Sequence, residues 1–132
     1  MVAVTGLYAG ILALFLIFLA LRVVKLRWSE KVGLGTGESR VLLQAVRAHG
    51  NFAEHIPLAL IILGLVELSG GWKSFIHFLG ICLILSRIMH LKGLSQSAGS
   101  SRGRMYGSVL MFGSMIMGGL YLIVGFFIGS FS

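Results

Sequence analysis

The stretch RVLLQAVRAHGNFAEHIPLALIILGLV, residues 40–66, decides the reading of the chain. Its first half carries Arg40, Gln44, Arg47, Asn51 and Glu54, whereas Ile56 to Val66 is uninterrupted apolar sequence. At 100° per residue the five polar positions fall within about 80° of one another, on one face of a helix roughly 20 Å long. A charge at the centre of a bilayer costs about 2.5–3.5 kcal/mol on insertion scales. The stripe therefore has to face protein, water or a ligand, and it is where function is sought.

The rest of the chain supplies the membrane context. A hydrophobic fraction of 57%, no Asp among the 132 residues and a mean hydropathy of +0.97 exclude an ordinary soluble domain. Four segments approach the ~20 residues needed to cross a hydrocarbon core: Thr5–Val24, Val41–Leu68, Trp72–Leu91 and Met105–Phe131. The expected fold is an all-α integral membrane protein, a single four-transmembrane-helix bundle over residues 1–132. The first segment reads as a retained anchor rather than a signal peptide, because its basic residues follow the apolar run. The lone Cys82 lies inside the third segment, so no disulfide framework forms, and it reads as a small apolar side chain.

Charge orients the bundle. Ten of the eleven basic residues lie in or beside the first and third connections, and only Lys73 lies at the other side. The positive-inside rule puts both connections in the cytoplasm and both termini outside. The net charge of +7 then reflects topology and attraction to anionic membrane lipid. Nothing resembles a nucleic-acid-binding motif, and no nucleic-acid partner is expected.

The first loop, Lys25–Ser39, contains Gly33, Gly35 and Gly37 but lacks the Lys-Ser/Thr and preceding strand of a phosphate loop, so it reads as a flexible connection. Ser69–Gly71 is short enough to make helices two and three an antiparallel pair. The Ser/Gly-rich run Gly93–Gly103 reads as a mobile third loop. Gly6 and Gly10, Gly103 and Gly107, and Gly125 and Gly129 form small-xxx-small pairs that allow close backbone approach. Pro57 removes one backbone donor just beyond Glu54, so a local opening of the helix is expected there.

Arg47, Asn51 and Glu54 reach one volume, yet Arg47 and Glu54 are about 10.5 Å apart by helical rise, too far for a good ion pair. One reading places between them a ligand bearing a carboxylate and an amine: Arg47 for the carboxylate, Asn51 as donor and acceptor, Glu54 for the amine. The other makes the stripe interhelical glue, with Arg87 pairing to Glu54. His49 lies about 160° from Arg47 on the wheel, and His55, His77 and His90 read as structural, His90 one turn after Arg87 and placed to orient it. No His/Glu spacing suits a metal, and no metal is expected. Arg87, Arg102 and Arg104 form a second basic group near the same membrane face, where a guanidinium lowers a thiol's pKa from its reference of ~8.5.

The string Arg47-Ala48-His49-Gly50-Asn51-Phe52-Ala53-Glu54, followed by Pro57, resembles the second-helix motif of the MAPEG family, the membrane-associated proteins in eicosanoid and glutathione metabolism. The resemblance extends over nearly the whole chain and is strongest to the short bacterial branch, similar to microsomal glutathione transferases. It implies a homotrimer in a bacterial inner membrane, with glutathione bound between subunits near the cytoplasmic face. By position it implies that Arg47, Asn51 and Glu54 bind the tripeptide, with Gln44 and His49 in supporting places. Arg87 matches the third-helix arginine, and Arg104 is the better match, with Arg102 the alternative, for the arginine that stabilises the thiolate. Arg22 or Lys25 would form the basic end of helix one. One departure is plain: where characterised members carry a tyrosine two turns after the third-helix arginine, this chain has Leu94, and Tyr106 is the nearest hydroxyl.

The leading expectation is a glutathione-dependent transferase or peroxidase acting on lipophilic small molecules. A non-catalytic protein that keeps the fold and pocket is the alternative, favoured by the missing tyrosine. A small multidrug-type transporter is a third, weakened by the absence of an acid in the first helix.

Overall fold

The structure is a computed structural model that describes residues 1–96 and 102–129, with side chains to residue 93 and from residue 102. Residues 94–101 of the third connection, Leu94 among them, and the far end of the chain at Phe131 therefore lie outside the described side chains, whereas Gly93, Arg102 and Gly103 are described and helical. Four helices account for most of the described residues: α1 Ala3–Glu30, α2 Arg40–Leu68, α3 Lys73–Gln96 and α4 Arg102–Phe127. Each has the length and apolarity to cross a membrane. At 1.5 Å per residue they are about 36–43 Å long, so each spans a ~30 Å core and projects beyond it.

Two helix ends and one helix interior differ from the sequence reading. α1 continues through Lys25–Glu30, because these residues are good helix formers and hydropathy falls at the membrane surface while the backbone stays hydrogen-bonded. The first connection is thus only Lys31–Ser39. α4 begins at Arg102, three residues before the apolar run, which puts Arg104 on the helix. α2 runs unbroken through Pro57.

The ends are set by identifiable residues. Ser39 caps α2, its hydroxyl accepting from Leu42 N–H at 3.2 Å. α2 stops where Gly70 takes φ 78° and Gly71 N–H returns to Val66 O at 3.0 Å. The start of α1 is capped from another helix: the Glu67 carboxylate accepts from Val4 N–H at 2.9 Å and Thr5 N–H at 2.7 Å. This fixes the first helix against the end of the second.

α3 and α4 pack most closely, and among the described residues the backbones of α1 and α4 do not approach each other closely, the α2–α3 pair contacting both. Glycine explains the α3–α4 fit. A Cβ at Gly107 would stand 2.7 Å from Ser86 O and 2.9 Å from His90 N, and one at Gly103 would stand 3.0 Å from Met89 O. Only hydrogen at these positions lets the backbones meet, whereas Gly6 and Gly10 face open space. Near the α1–α2 connection the core is Leu19, Ala48, Phe52, Leu83 and Met111; toward the opposite end it is Tyr8, Leu63, Val66, Ile76 and Leu79. Large apolar side chains such as Leu14, Ile61, Ile116 and Phe126 are exposed on the outside, the surface that lipid solvates.

Candidate functional site

The polar stripe of α2 forms one wall of a cavity of about 400 Å³. Arg40, Leu43, Gln44, Arg47 and Asn51 line it from α2, His90 from α3 and Arg104 from α4. Arg104 arrives there because Gly103 and Gly107, its neighbours on α4, sit directly on the backbone of α3. Arg102 is exposed and is not a lining residue.

Behind Asn51 lies Arg87, only 3% exposed. Its Nη1 donates to Asn51 Oδ1 at 2.7 Å, its Nε to Ser86 Oγ at 3.0 Å, and its Nη2 contacts Met111 Sδ at 3.0 Å. The Ser86 hydroxyl in turn donates to Leu83 O at 2.7 Å. A guanidinium offers donors only, so Asn51 must present its oxygen to Arg87. Asn51 was expected to offer a ligand both donor and acceptor; its oxygen is engaged by Arg87, which leaves one lone pair and the Nδ2 hydrogens. Arg87 is therefore buried behind the wall and is not one of the lining residues. Its partner is Asn51, not Glu54.

The lining is strongly one-sided. Three guanidinium groups and the amide of Asn51 are donors, Gln44 and His90 add further polar atoms, and no lining residue is a carboxylate. Such a cavity suits an anion, and Arg holds carboxylates in two-point geometry. The charges sit at the end of membrane-spanning helices, where reduced dielectric strengthens their pull.

Glu54 stands apart from the cavity lining. It lies halfway along α2, is exposed, and makes no hydrogen bond or ion pair among the described residues. Its Oε1 lies back along the helix, 4.0 Å from where a Cβ of Gly50 would be. A carboxylate midway along a membrane-spanning helix faces protein, water or a ligand rather than lipid. His49 is half-buried and does not line the cavity. Tyr106 is exposed and absent from the lining, and gives the cavity no hydroxyl.

His90 is the lining residue that sequence reasoning undervalued, having assigned it only to orienting Arg87. The usable signal was its place one turn after Arg87, on the same face of α3. His55 is also engaged locally: its Nδ1 lies 2.9 Å from Asn51 O, and its ring meets Phe112 edge to face at 5.6 Å. At the opposite end of the bundle Tyr8 Oη approaches His77 Nδ1 at 2.9 Å and donates to His77 O at 3.1 Å, with Gly80 leaving room for the ring. That pair ties α1 to α3 far from the cavity.

Comparison with known proteins agrees with this architecture. The sequence model of the MAPEG family matches residues 5–124. The inner membrane protein YecN of Escherichia coli K12 is 38% identical over 90 residues, which cover 68% of this chain and 69% of YecN. YecN of Escherichia coli O6:H1 strain CFT073 shows the same 38% identity over 90 residues. With four apolar helices, the Arg47–Glu54 motif on the second and a match over nearly its full length, the chain is an integral membrane protein and belongs to the MAPEG family.

Proposed function

We propose that the protein is a glutathione-dependent membrane transferase or peroxidase, assembled as a homotrimer. The observation that carries this reading is the donor-rich cavity of Arg40, Arg47, Asn51 and Arg104 with the unpaired carboxylate of Glu54 beyond its rim. Glutathione carries two carboxylates, one ammonium and one thiol, a set that this arrangement complements. Arg47 and Arg40 take the carboxylates, with Gln44 and the Asn51 amide beside them. Glu54 takes the ammonium, which also gives it a ligand rather than lipid to face at that depth. A second subunit closing over this exposed face of α2 completes the enclosure.

Arg104 has the chemical role of holding the sulfur as thiolate, the thiol proton passing to water. In transfer, the sulfur forms a bond to the electrophilic carbon as its leaving group departs with the bonding pair. In peroxide reduction, two glutathiones become one disulfide while the hydroperoxide yields alcohol and water. The second substrate is lipophilic and enters from the bilayer. The protein resides in the bacterial inner membrane, as YecN's name places that relative, with the basic connections cytoplasmic and both termini outside.

A second reading is supported by Leu94 and by the exposed place of Tyr106: a MAPEG-fold protein that binds glutathione without turning it over. Detergent-purified protein given glutathione with chlorodinitrobenzene, and separately with cumene hydroperoxide, decides between them. Turnover above the uncatalysed rate, lost in Arg104→Ala, supports the enzyme. Saturable glutathione binding with neither reaction supports the non-catalytic reading.

A further inference from the structure

A second cleft, of about 500 Å³, lies at the end of α1 where the chain folds back on itself. Val24, Arg27, Trp28, Lys31, Val32 and Gly33 line it. The loop is held in place by Arg27, whose Nη1 donates to Gly35 O at 2.9 Å and lies within 3.4 Å of Val32 O and Gly33 O. Lys31 ends the helix with φ 55°, ψ 37°, a left-handed conformation that is strained for a side-chain-bearing residue and suits glycine. The chain has glycine at 33, 35 and 37 but lysine here, which puts an exposed ammonium at the cleft. The nearby acids, Glu30 and Glu38, do not line it; Glu30 lies about 160° from Trp28 around the helix.

The cleft continues into an apolar track. Trp28 is 82% exposed, and Val24, Leu21, Ile17 and Leu14, all exposed, fall within about 80° of it on the face of α1 turned away from Leu12 and Leu19 in the core. From Val24 to Leu14 the helix rises about 15 Å, half the thickness of a ~30 Å hydrocarbon core. A basic cleft topped by tryptophan at the membrane surface, leading to one leaflet's length of apolar track, has the shape of a phospholipid. We propose that this cleft seats the phosphate of an anionic membrane lipid, with Lys31 at the phosphate, Trp28 at the level of the glycerol, and an acyl chain along Val24, Leu21 and Ile17. The inference is independent of glutathione: this face of α1 shares no lining residue with the cavity of α2–α4.

The two tryptophans, Trp28 and Trp72, make the test direct. A full-length Trp72→Phe protein reports from Trp28 alone. It is placed in vesicles of phosphatidylcholine and phosphatidylglycerol in which one lipid at a time carries bromine, and quenching gives the relative affinity at Trp28. Phosphatidylglycerol is expected to be preferred by about fivefold. Lys31→Gly, which suits the backbone and leaves folding intact, brings the two lipids to parity, and Lys31→Arg keeps the preference. Equal quenching by both lipids, quenching by neither, or a preference unchanged in Lys31→Gly overturns the proposal. Loss of the preference on adding millimolar inorganic phosphate at constant ionic strength also overturns it, in favour of a free-anion site.

Discussion

Arg87 and Asn51, 36 residues apart in the chain, are joined by a 2.7 Å hydrogen bond from Nη1 to Oδ1 inside the bundle. Through that bond a buried cation that never reaches the cavity decides which end of the Asn51 amide faces it. Hydrogen bonds to charged groups contribute about 1.5–3 kcal/mol. Asn51→Leu therefore lowers stability by about that amount, because the Arg87 guanidinium loses its side-chain acceptor on α2. The Asn51→Leu/Arg87→Met pair recovers part of the loss. Thermal unfolding in detergent gives the coupling energy, and additive single effects would show that the bond carries none.

Gly107 tests what brings Arg104 to the cavity. Gly107→Ala puts a methyl group 2.7 Å from Ser86 O, where backbone has to move, and overpacking of this kind costs about 1–3 kcal/mol. Gly113, with nothing within 4 Å of its would-be Cβ, is the control. Gly113→Ala is expected to be neutral or stabilising by up to about 1 kcal/mol. Equal melting temperatures for the two variants would remove the close α3–α4 approach as a determinant of the site.

Glu67 separates stability from function. Glu67→Ala frees the Val4 and Thr5 amides at the start of α1, and loss of a cap costs about 0.5–2 kcal/mol. The cavity is at the other end of α2, so glutathione affinity should stay within about twofold. Calorimetry and thermal unfolding on the same preparation check both halves.

Glu54→Gln probes the exposed carboxylate in the middle of α2. It makes no bond among the described residues, so the single chain loses nothing by the change. Glutathione affinity falls by about tenfold or more, the scale of one charge-assisted hydrogen bond. Unchanged affinity would assign Glu54 to subunit contacts instead.

The spans and the stripe were legible because both are local and periodic: hydropathy finds the lipid-facing helices, and a 100° step aligns Arg40 with Glu54. Helix ends were less legible. Lys25–Glu30 and Arg102–Arg104 leave the hydrocarbon while remaining helical, and hydropathy reports the first change, not the second. The Arg87–Asn51 bond depends on how α3 packs on α2, which no single-helix wheel contains. The wall contributed by His90 and Arg104 depends in turn on Gly103 and Gly107, whose spacing was visible but whose partner was not. Glu54 is the converse case. The helical wheel grouped it with Arg47 and Asn51, whereas in the fold it has no bond among the described residues and does not line the cavity they share.

The most direct test follows the thiolate absorbance of glutathione bound to detergent-purified protein across pH, for the wild type and Arg104→Ala. Saturable binding is predicted, with a thiolate signal at neutral pH in the wild type. Arg104→Ala should still bind, but with ionisation displaced toward the free-thiol value of ~8.5. Absence of binding at millimolar glutathione, in protein with its full helical circular dichroism, would contradict the account and return the stripe of α2 to interhelical packing.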